Sequence, residues 1–308
     1  MPRLLVLGAA LLFSTGGLAI KSCDLSSWQV ASFRCGVAAL TLWLLLPAAR
    51  RRWRGGEALV GCAYAATLVC YAVATKLTTA ANAIFLQSAA PLYVLVLAWW
   101  LLGERSNRRD LGFATLMVAG LVLVLSGQDA AGATAPDPTR GNLFGALTGV
   151  FWALTVVGLR RLSNEERSGG AESDGSGSSA AALVAGNVVG FVACLPLALS
   201  GDAPLWSPAG GPGGAVNAVD WAWIVYLGVV QIGLAYLLLT AGLRRVPAFE
   251  ASLLLLAEPV FNPLWTWLLH GEVPSSPALL GGFLILSATT TKTWVDFRSG
   301  RGKPAEAP

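Results

Sequence analysis

Residues 89–104 read AAPLYVLVLAWWLLGE, and residues 257–272 read AEPVFNPLWTWLLHGE. The two stretches lie 168 positions apart. Extended to 80–120 against 248–288, the alignment needs no gap and gives eleven identities in 41 positions, including Pro91/Pro259, Trp99/Trp267, Gly103/Gly271 and Glu104/Glu272. Each copy is an apolar run interrupted by proline and closed by Gly-Glu. A membrane span takes about 20 apolar residues. On that rule the chain carries ten spans: 4–21, 28–46, 57–76, 80–101, 109–127, 141–159, 180–200, 220–243, 247–270 and 276–295. Five spans per half is an odd number, so the second half enters the bilayer from the opposite side. Inverted repeats of this kind recur in secondary transporters, with a site between the halves. The expected fold is an all-α integral membrane protein of ten transmembrane helices in two inverted five-helix repeats. Residues 1–127 form the first repeat, 128–140 a linker, 141–295 the second repeat and 296–308 a tail.

Composition agrees. Hydrophobic residues make up 55% of the chain and charged ones 12%, whereas a soluble domain is about a quarter charged. The mean hydropathy is +0.63. The net charge of +4 does not indicate a nucleic-acid partner, because the cations follow the loops. With the N-terminus inside, 17 cations fall on the inner side: Arg3, Arg50, Arg51, Arg52, Arg54, Arg105, Arg108, Arg109, Arg160, Arg161, Arg167, Arg244, Arg245, Lys292, Arg298, Arg301 and Lys303. Only Lys21, Lys76 and Arg140 fall outside, as the excess of Lys and Arg in cytoplasmic loops demands. Both termini are therefore expected in the cytoplasm, in a multi-pass protein of the cytoplasmic membrane. The first apolar run lacks a cleavage site and reads as a retained span. Cys23, Cys35, Cys62, Cys70 and Cys194 form neither a disulfide framework nor a CxxC pattern. No metal site and no cofactor are expected; His270 stands alone. The Gly/Ser tract 163–179 reads as an unstructured connection between the sixth and seventh spans. A weaker repeat aligns FSTGGLAIK (13–21) with WALTVVGLR (152–160), so Lys21 and Arg160 end equivalent helices. Both are expected to snorkel to the interface.

Over nearly its whole length the sequence resembles the drug/metabolite transporter superfamily, in its ten-helix EamA-type branch. The paired Pro-containing stretches closing in Gly103-Glu104 and Gly271-Glu272, the first helix ending in Lys21 and Arg34 in the second helix carry the resemblance. It implies a central cavity lined by both halves and transport of small metabolites, amino acids or toxic compounds. It does not fix the substrate. The seventh span, AALVAGNVVGFVACLPLAL, holds no counterpart of Arg34.

Several residues could carry transport chemistry. Pro91, Pro259 and Pro263 lack a backbone N–H and are expected to kink or break the fourth and ninth helices. Backbone carbonyls freed in a membrane must be satisfied by protein, water or substrate. Glu258 is the sharpest single residue, because a carboxylate within a span costs about 2.5–3.5 kcal/mol on insertion scales. Asn262 and Trp265 follow it on the same helix face. That stripe suits an amine-bearing solute or a proton relay, with pairing to Arg34 as the structural alternative. Arg34 could instead bind a solute carboxylate. Gln87, Tyr71, Tyr236 and Gln231 are further candidates for the cavity lining. Glu104 and Glu272 end their spans at the boundary with water and read as caps or gates.

These residues point to a secondary transporter that works by alternating access, with export favoured over import and proton coupling open. Its partners are a small-molecule substrate and the lipid bilayer, and a homodimer is compatible with the sequence. An integral-membrane enzyme acting on a lipid or prenyl substrate would need clustered catalytic groups at one interface, and none is visible. A non-transporting scaffold would leave the paired proline breaks without a purpose. No P-loop is present, so energy would come from a gradient.

Overall fold

Proline and glycine decide where the helices of this chain are continuous. The computed structural model describes residues 1–50, 52–102, 108–127, 132, 134–168, 176–200, 205, 216–243 and 245–298. Glu104 and much of the expected linker and tail lie outside the described residues. Ten helical spans follow in order. The first is Pro2–Ser14 and Gly16–Lys21, the second Ser27–Leu45, the third Gly55–Leu77, the fourth Ala80–Ser88 and Ala90–Leu102, and the fifth Arg108–Ser126. The sixth is Pro138–Ser168, the seventh Ser176–Ser200 and the eighth Ala218–Val225, Tyr226–Leu234 and Ala235–Leu243. The ninth is Ala248–Leu255 and Ala257–His270, and the tenth Ser276–Arg298. Among the described residues, the only extended pairing is an isolated bridge between Gly132 and Ala135. Eight of the spans are long and apolar enough to cross a membrane, and the fifth adds a shorter apolar helix. The tenth carries a Thr-rich end with Lys292.

The packing repeats as the sequence does. The second span packs on the seventh and the fifth on the tenth, pairs that the repeat makes equivalent. The third lies on the sixth as the eighth lies on the first, and the fourth meets the sixth as the ninth meets the first. Polar side chains are buried within an apolar core, and large apolar ones also face outward. Arg34, Gln29, Asn82, Asn187, Gln231 and Asn262 are buried, while Leu59, Leu269 and Phe283 face outward with 74%, 67% and 68% of their surface exposed. Lipid, not water, is the solvent that such a surface fits.

The sequence expectation needs three corrections. The sixth helix does not end near 159 but runs to Ser168, and the seventh starts at Ser176. Much of the tract expected to be unstructured is therefore helical. Arg161 supports it by pairing with Glu165 one turn on, at 3.0 Å. Ser178 anchors the other end through Glu57 at 2.8 Å. Pro263 does not produce the expected second break, because Ala257–His270 is continuous across it. One missing N–H removes a single bond from the ladder, and the rest of this helix holds. Finally, two interruptions appear that proline does not cause: a break at Thr15 and a π-helical segment at Tyr226–Leu234.

The fifth and tenth spans touch at glycine. A Cβ on Gly120 would stand 2.8 Å from the carbonyl oxygen of Gly281, and one on Gly281 2.5 Å from that of Gly120. Gly120→Leu is expected to lower stability by about 1–3 kcal/mol through overpacking. Thermal unfolding of the purified protein in detergent checks this, with lipid-facing Leu279→Ile as the unchanged control.

Candidate functional site

Four spans lose regular helix, and the irregular parts of the first and eighth meet, with the ninth span packed against the first. The fourth breaks at Ala89, two residues before Pro91, and the ninth at Leu256, three before Pro259. Each proline thus sits in the first turn of a new helix, where its missing N–H costs nothing. The first span breaks at Thr15, within the run Ser14-Thr15-Gly16-Gly17, the kind of small-residue sequence at which helices kink. The Thr15 hydroxyl lies 2.9 Å from the Tyr226 hydroxyl, at the start of the π segment. Within that segment, Gln231 donates from Nε2 to the carbonyl of Phe13 at 3.4 Å, supplying a donor beside the break. Gly17 lets the ninth span approach: a Cβ there would fall 2.3 Å from Oδ1 of Asn262.

Around these breaks the side chains form one polar and aromatic centre. Asn262 is fully buried and donates from Nδ2 to the Tyr71 hydroxyl at 2.7 Å, joining the ninth span to the third. Trp265 donates from Nε1 to Ser14 Oγ at 2.9 Å and stacks on Phe261 at 5.7 Å. Tyr236 meets Phe13 edge-on at 5.2 Å and Tyr64 at 6.0 Å, so rings from the first, third and eighth spans are in series. Glu258 is half-buried beside this centre, within electrostatic reach of Tyr71 and Tyr236. Among the described residues its carboxylate has neither a hydrogen bond nor an ion pair. The carbonyl oxygens of the Gln231 and Asn262 side chains are also buried without a partner.

The structural alternative, a pairing of Arg34 with Glu258, does not form among the described residues. Arg34 is buried at 1% exposure and donates from Nη2 to the carbonyl of Leu68. Tyr71 lies within electrostatic reach of both charges. Gln87 is half-buried with no hydrogen bond among the described residues, whereas Asn82 is held away from the centre by Asn142 at 3.1 Å. The structure therefore brings Glu258, Asn262, Trp265, Tyr71, Tyr236 and Gln231 around the breaks. Phe13, Ser14, Tyr64 and Tyr226 belong with them and were not singled out from the sequence. The Ser-Thr-Gly-Gly run in mid-span was the available signal for the first two.

The repeat is not chemically symmetric here. A shift of 168 places Glu258, Asn262 and Trp265 on Ala90, Val94 and Leu97. The fourth span supplies the same break without the polar stripe.

One rim of the bundle is closed by charge. Gly271 ends the ninth span in the left-handed region at φ 63°, which turns the next residue back toward the protein. Glu272 is therefore buried rather than at a boundary with water. It accepts the N–H of Ala80, at the start of the fourth span, and its other oxygen lies 3.1 Å from Lys21 Nζ. Both side chains are almost wholly enclosed, at 2% and 4% exposure. Lys21 does not snorkel, because it also donates to the carbonyls of Thr78, at 2.9 Å, and Thr134. Asp220 accepts the N–H of Asp24 at 2.7 Å on the same rim. Arg160, the repeat equivalent of Lys21, is exposed. At the opposite rim the first and ninth spans are tied by an exposed pair, Arg3 to Glu250 at 2.6 Å.

The model of the EamA-like transporter family matches residues 2–126 and 139–291. The chain is 26% identical over 291 residues to the pseudopaline exporter CntI of Pseudomonas aeruginosa, covering 92% of this chain and 93% of that protein. It is 25% identical over 223 residues to the aromatic amino acid exporter YddG of Ancylobacter novellus, covering 72% and 70%. An uncharacterized transporter of Archaeoglobus fulgidus is 28% identical over 222 residues, again covering 72% and 70%. A solved crystal structure superimposes with a TM-score of 0.58 at 22% identity, over 96% of this chain and 98% of that one. That likeness is one of fold alone.

Removing one partner of a buried ion pair typically costs about 3–5 kcal/mol, and replacing both by apolar groups costs far less. Lys21→Met and Glu272→Leu are each expected to lower the unfolding temperature sharply. The double variant should recover much of the loss. A double-mutant cycle by thermal unfolding measures the coupling, and additive losses would show that the pair contributes little.

Proposed function

The chain belongs to the EamA-like transporter family, and on that premise we propose that it exports a small organic solute by alternating access. The solute binds between two inverted halves, residues 1–127 and 141–295, against the stripe Glu258, Asn262 and Trp265 and the facing Tyr71, Tyr236 and Gln231. The observation that carries this reading is Glu258, an acid in mid-membrane with no partner among the described residues, beside the irregular parts of the eighth and ninth spans. Irregular backbone is tolerated at membrane depth where it is buried in protein or lines a cavity. An unpaired carboxylate beside it is equipped to hold an amine of the solute or a proton. The lean of the cations supports cytoplasmic termini in the cytoplasmic membrane, which makes the Lys21–Glu272 rim the outer one. In that orientation the structure is closed outward. Release of solute would require Glu272 to leave Lys21 and the N–H of Ala80, so Glu272 acts as cap and gate together.

The relatives named as exporters of pseudopaline and of aromatic amino acids support outward transport. They also favour a carrier over an enzyme acting on lipid. Among the described residues no central nucleophile is hydrogen-bonded to a base, and the central polar groups bind one another or stand free. Both halves of the site lie in one chain, so a single copy suffices for the cycle.

The deciding experiment is transport by the purified protein in proteoliposomes, with a labelled panel of amino acids and metabolites, with and without a pH gradient. Flux that follows the gradient in the wild type and loses that dependence in Glu258→Gln supports a proton-coupled carrier. Flux indifferent to both leaves a facilitator and reduces Glu258 to a packing role. No flux of any solute through folded protein rejects the carrier reading.

A further inference from the structure

Arg34 is the most deeply buried arginine among the described residues, and it lacks a counter-charge. Several other cations are matched to acids: Lys21 to Glu272, Lys292 to Asp110 and Asp296, Arg3 to Glu250, Arg161 to Glu165. Arg34 is not. One terminal nitrogen donates to the Leu68 carbonyl, and Nε is buried with no acceptor at all. Groups within its electrostatic reach include Cys35, Tyr64, Tyr71 and Cys194, none of them an acid that is ionised in its ordinary state.

A guanidinium cannot escape this position by losing its proton, since it stays charged in proteins. Nor can it reach the interface, because it stands mid-way along Ser27–Leu45 and is enclosed on all sides. A buried charge is tolerated when it is paired and hydrogen-bonded. The planar fork of N–H donors matches the two oxygens of a carboxylate better than any single-point partner. A second donor is adjacent. Asn262 uses Tyr71 as its acceptor, which turns the phenolic O–H toward other partners, with Thr75 one turn on as the neighbour that competes for it.

We propose that Arg34 and Tyr71 form an anion site at the centre of the bundle that takes a carboxylate, and that the carried solute supplies it. Only the second clause rests on the carrier reading. The site itself follows from the burial and the unused donors. It separates the two charges of the centre by role, with Glu258 for a proton or an amine and Arg34 for an acid group.

The test reads binding and not flux, so its failure is distinct from failure of the carrier reading. Thermal unfolding of the full chain in detergent is followed in sodium chloride, sodium benzoate and sodium 3-phenylpropionate at equal ionic strength, with benzamide and 3-phenylpropionamide as neutral controls. The two carboxylates should raise Tm by roughly 2–4 °C over chloride, increasing with concentration, and the amides should not. Arg34→Gln should abolish the rise. Arg34→Lys, which keeps the charge without the fork, should retain only part of it, and Tyr71→Phe should weaken it in protein that still unfolds cooperatively. A rise in chloride as large as in carboxylate, lost in Arg34→Gln, would keep the anion site and overturn the carboxylate assignment. Amides as effective as acids, an undiminished rise in both Arg34 variants, or no response to any anion would overturn the site.

Discussion

Hydrocarbon offers no hydrogen bonds, and every other feature of this molecule is arranged around that constraint. A helix in a bilayer satisfies its own backbone until a residue interrupts it. Each interruption must then be met by another part of the protein. The break at Thr15 is met by the π segment of the eighth span, through Tyr226 and Gln231. The approach of the ninth span is met by Tyr71 and Ser14, through Asn262 and Trp265. The interruptions of the first and eighth spans therefore meet, with the ninth span against them. The polar centre of the bundle is a consequence of where the backbone is irregular.

Charge obeys the same rule with higher stakes. At the closed rim, Lys21 and Glu272 are both buried, and neither relies on the other alone. Glu272 also receives the amide of Ala80, and Lys21 serves the carbonyls of Thr78 and Thr134. The two groups thus knit the end of the first span, the turn before the fourth, the connection between the halves and the turn after the ninth. The Gly-Glu ending is the local device that makes this possible, since the left-handed glycine returns the glutamate to the interior. The centre is treated differently: Arg34 and Glu258 are left without ion-pair partners. Satisfied charges close the rim, and the two central ones stand without ion-pair partners among the described residues.

The repeat supplies architecture and the differences between its copies supply chemistry. Packing between spans follows the two-fold relation closely. Yet Glu258, Asn262 and Trp265 replace Ala90, Val94 and Leu97, and Arg34 has no counterpart in the seventh span. One half carries the acid stripe and the other the cation.

The sequence by itself determined the ten spans, their boundaries within a few residues at most ends, and the inverted repeat, because apolar length and proline position are local properties. It also marked the polar stripe of the ninth helix, because the cost of an intramembrane acid is legible wherever the acid stands. It could not determine partners. Arg34 and Glu258 read as a natural pair because opposite charges at similar depth attract, but helix rotation sets which of them meet, and rotation is fixed by packing. Lys21 and Glu272 read as interfacial because each ends its helix. Only the tertiary structure brought those two ends, 251 residues apart, into one dry contact. The break at Thr15 and the π segment lie between these cases: small residues permit them, and the neighbouring span decides that they form.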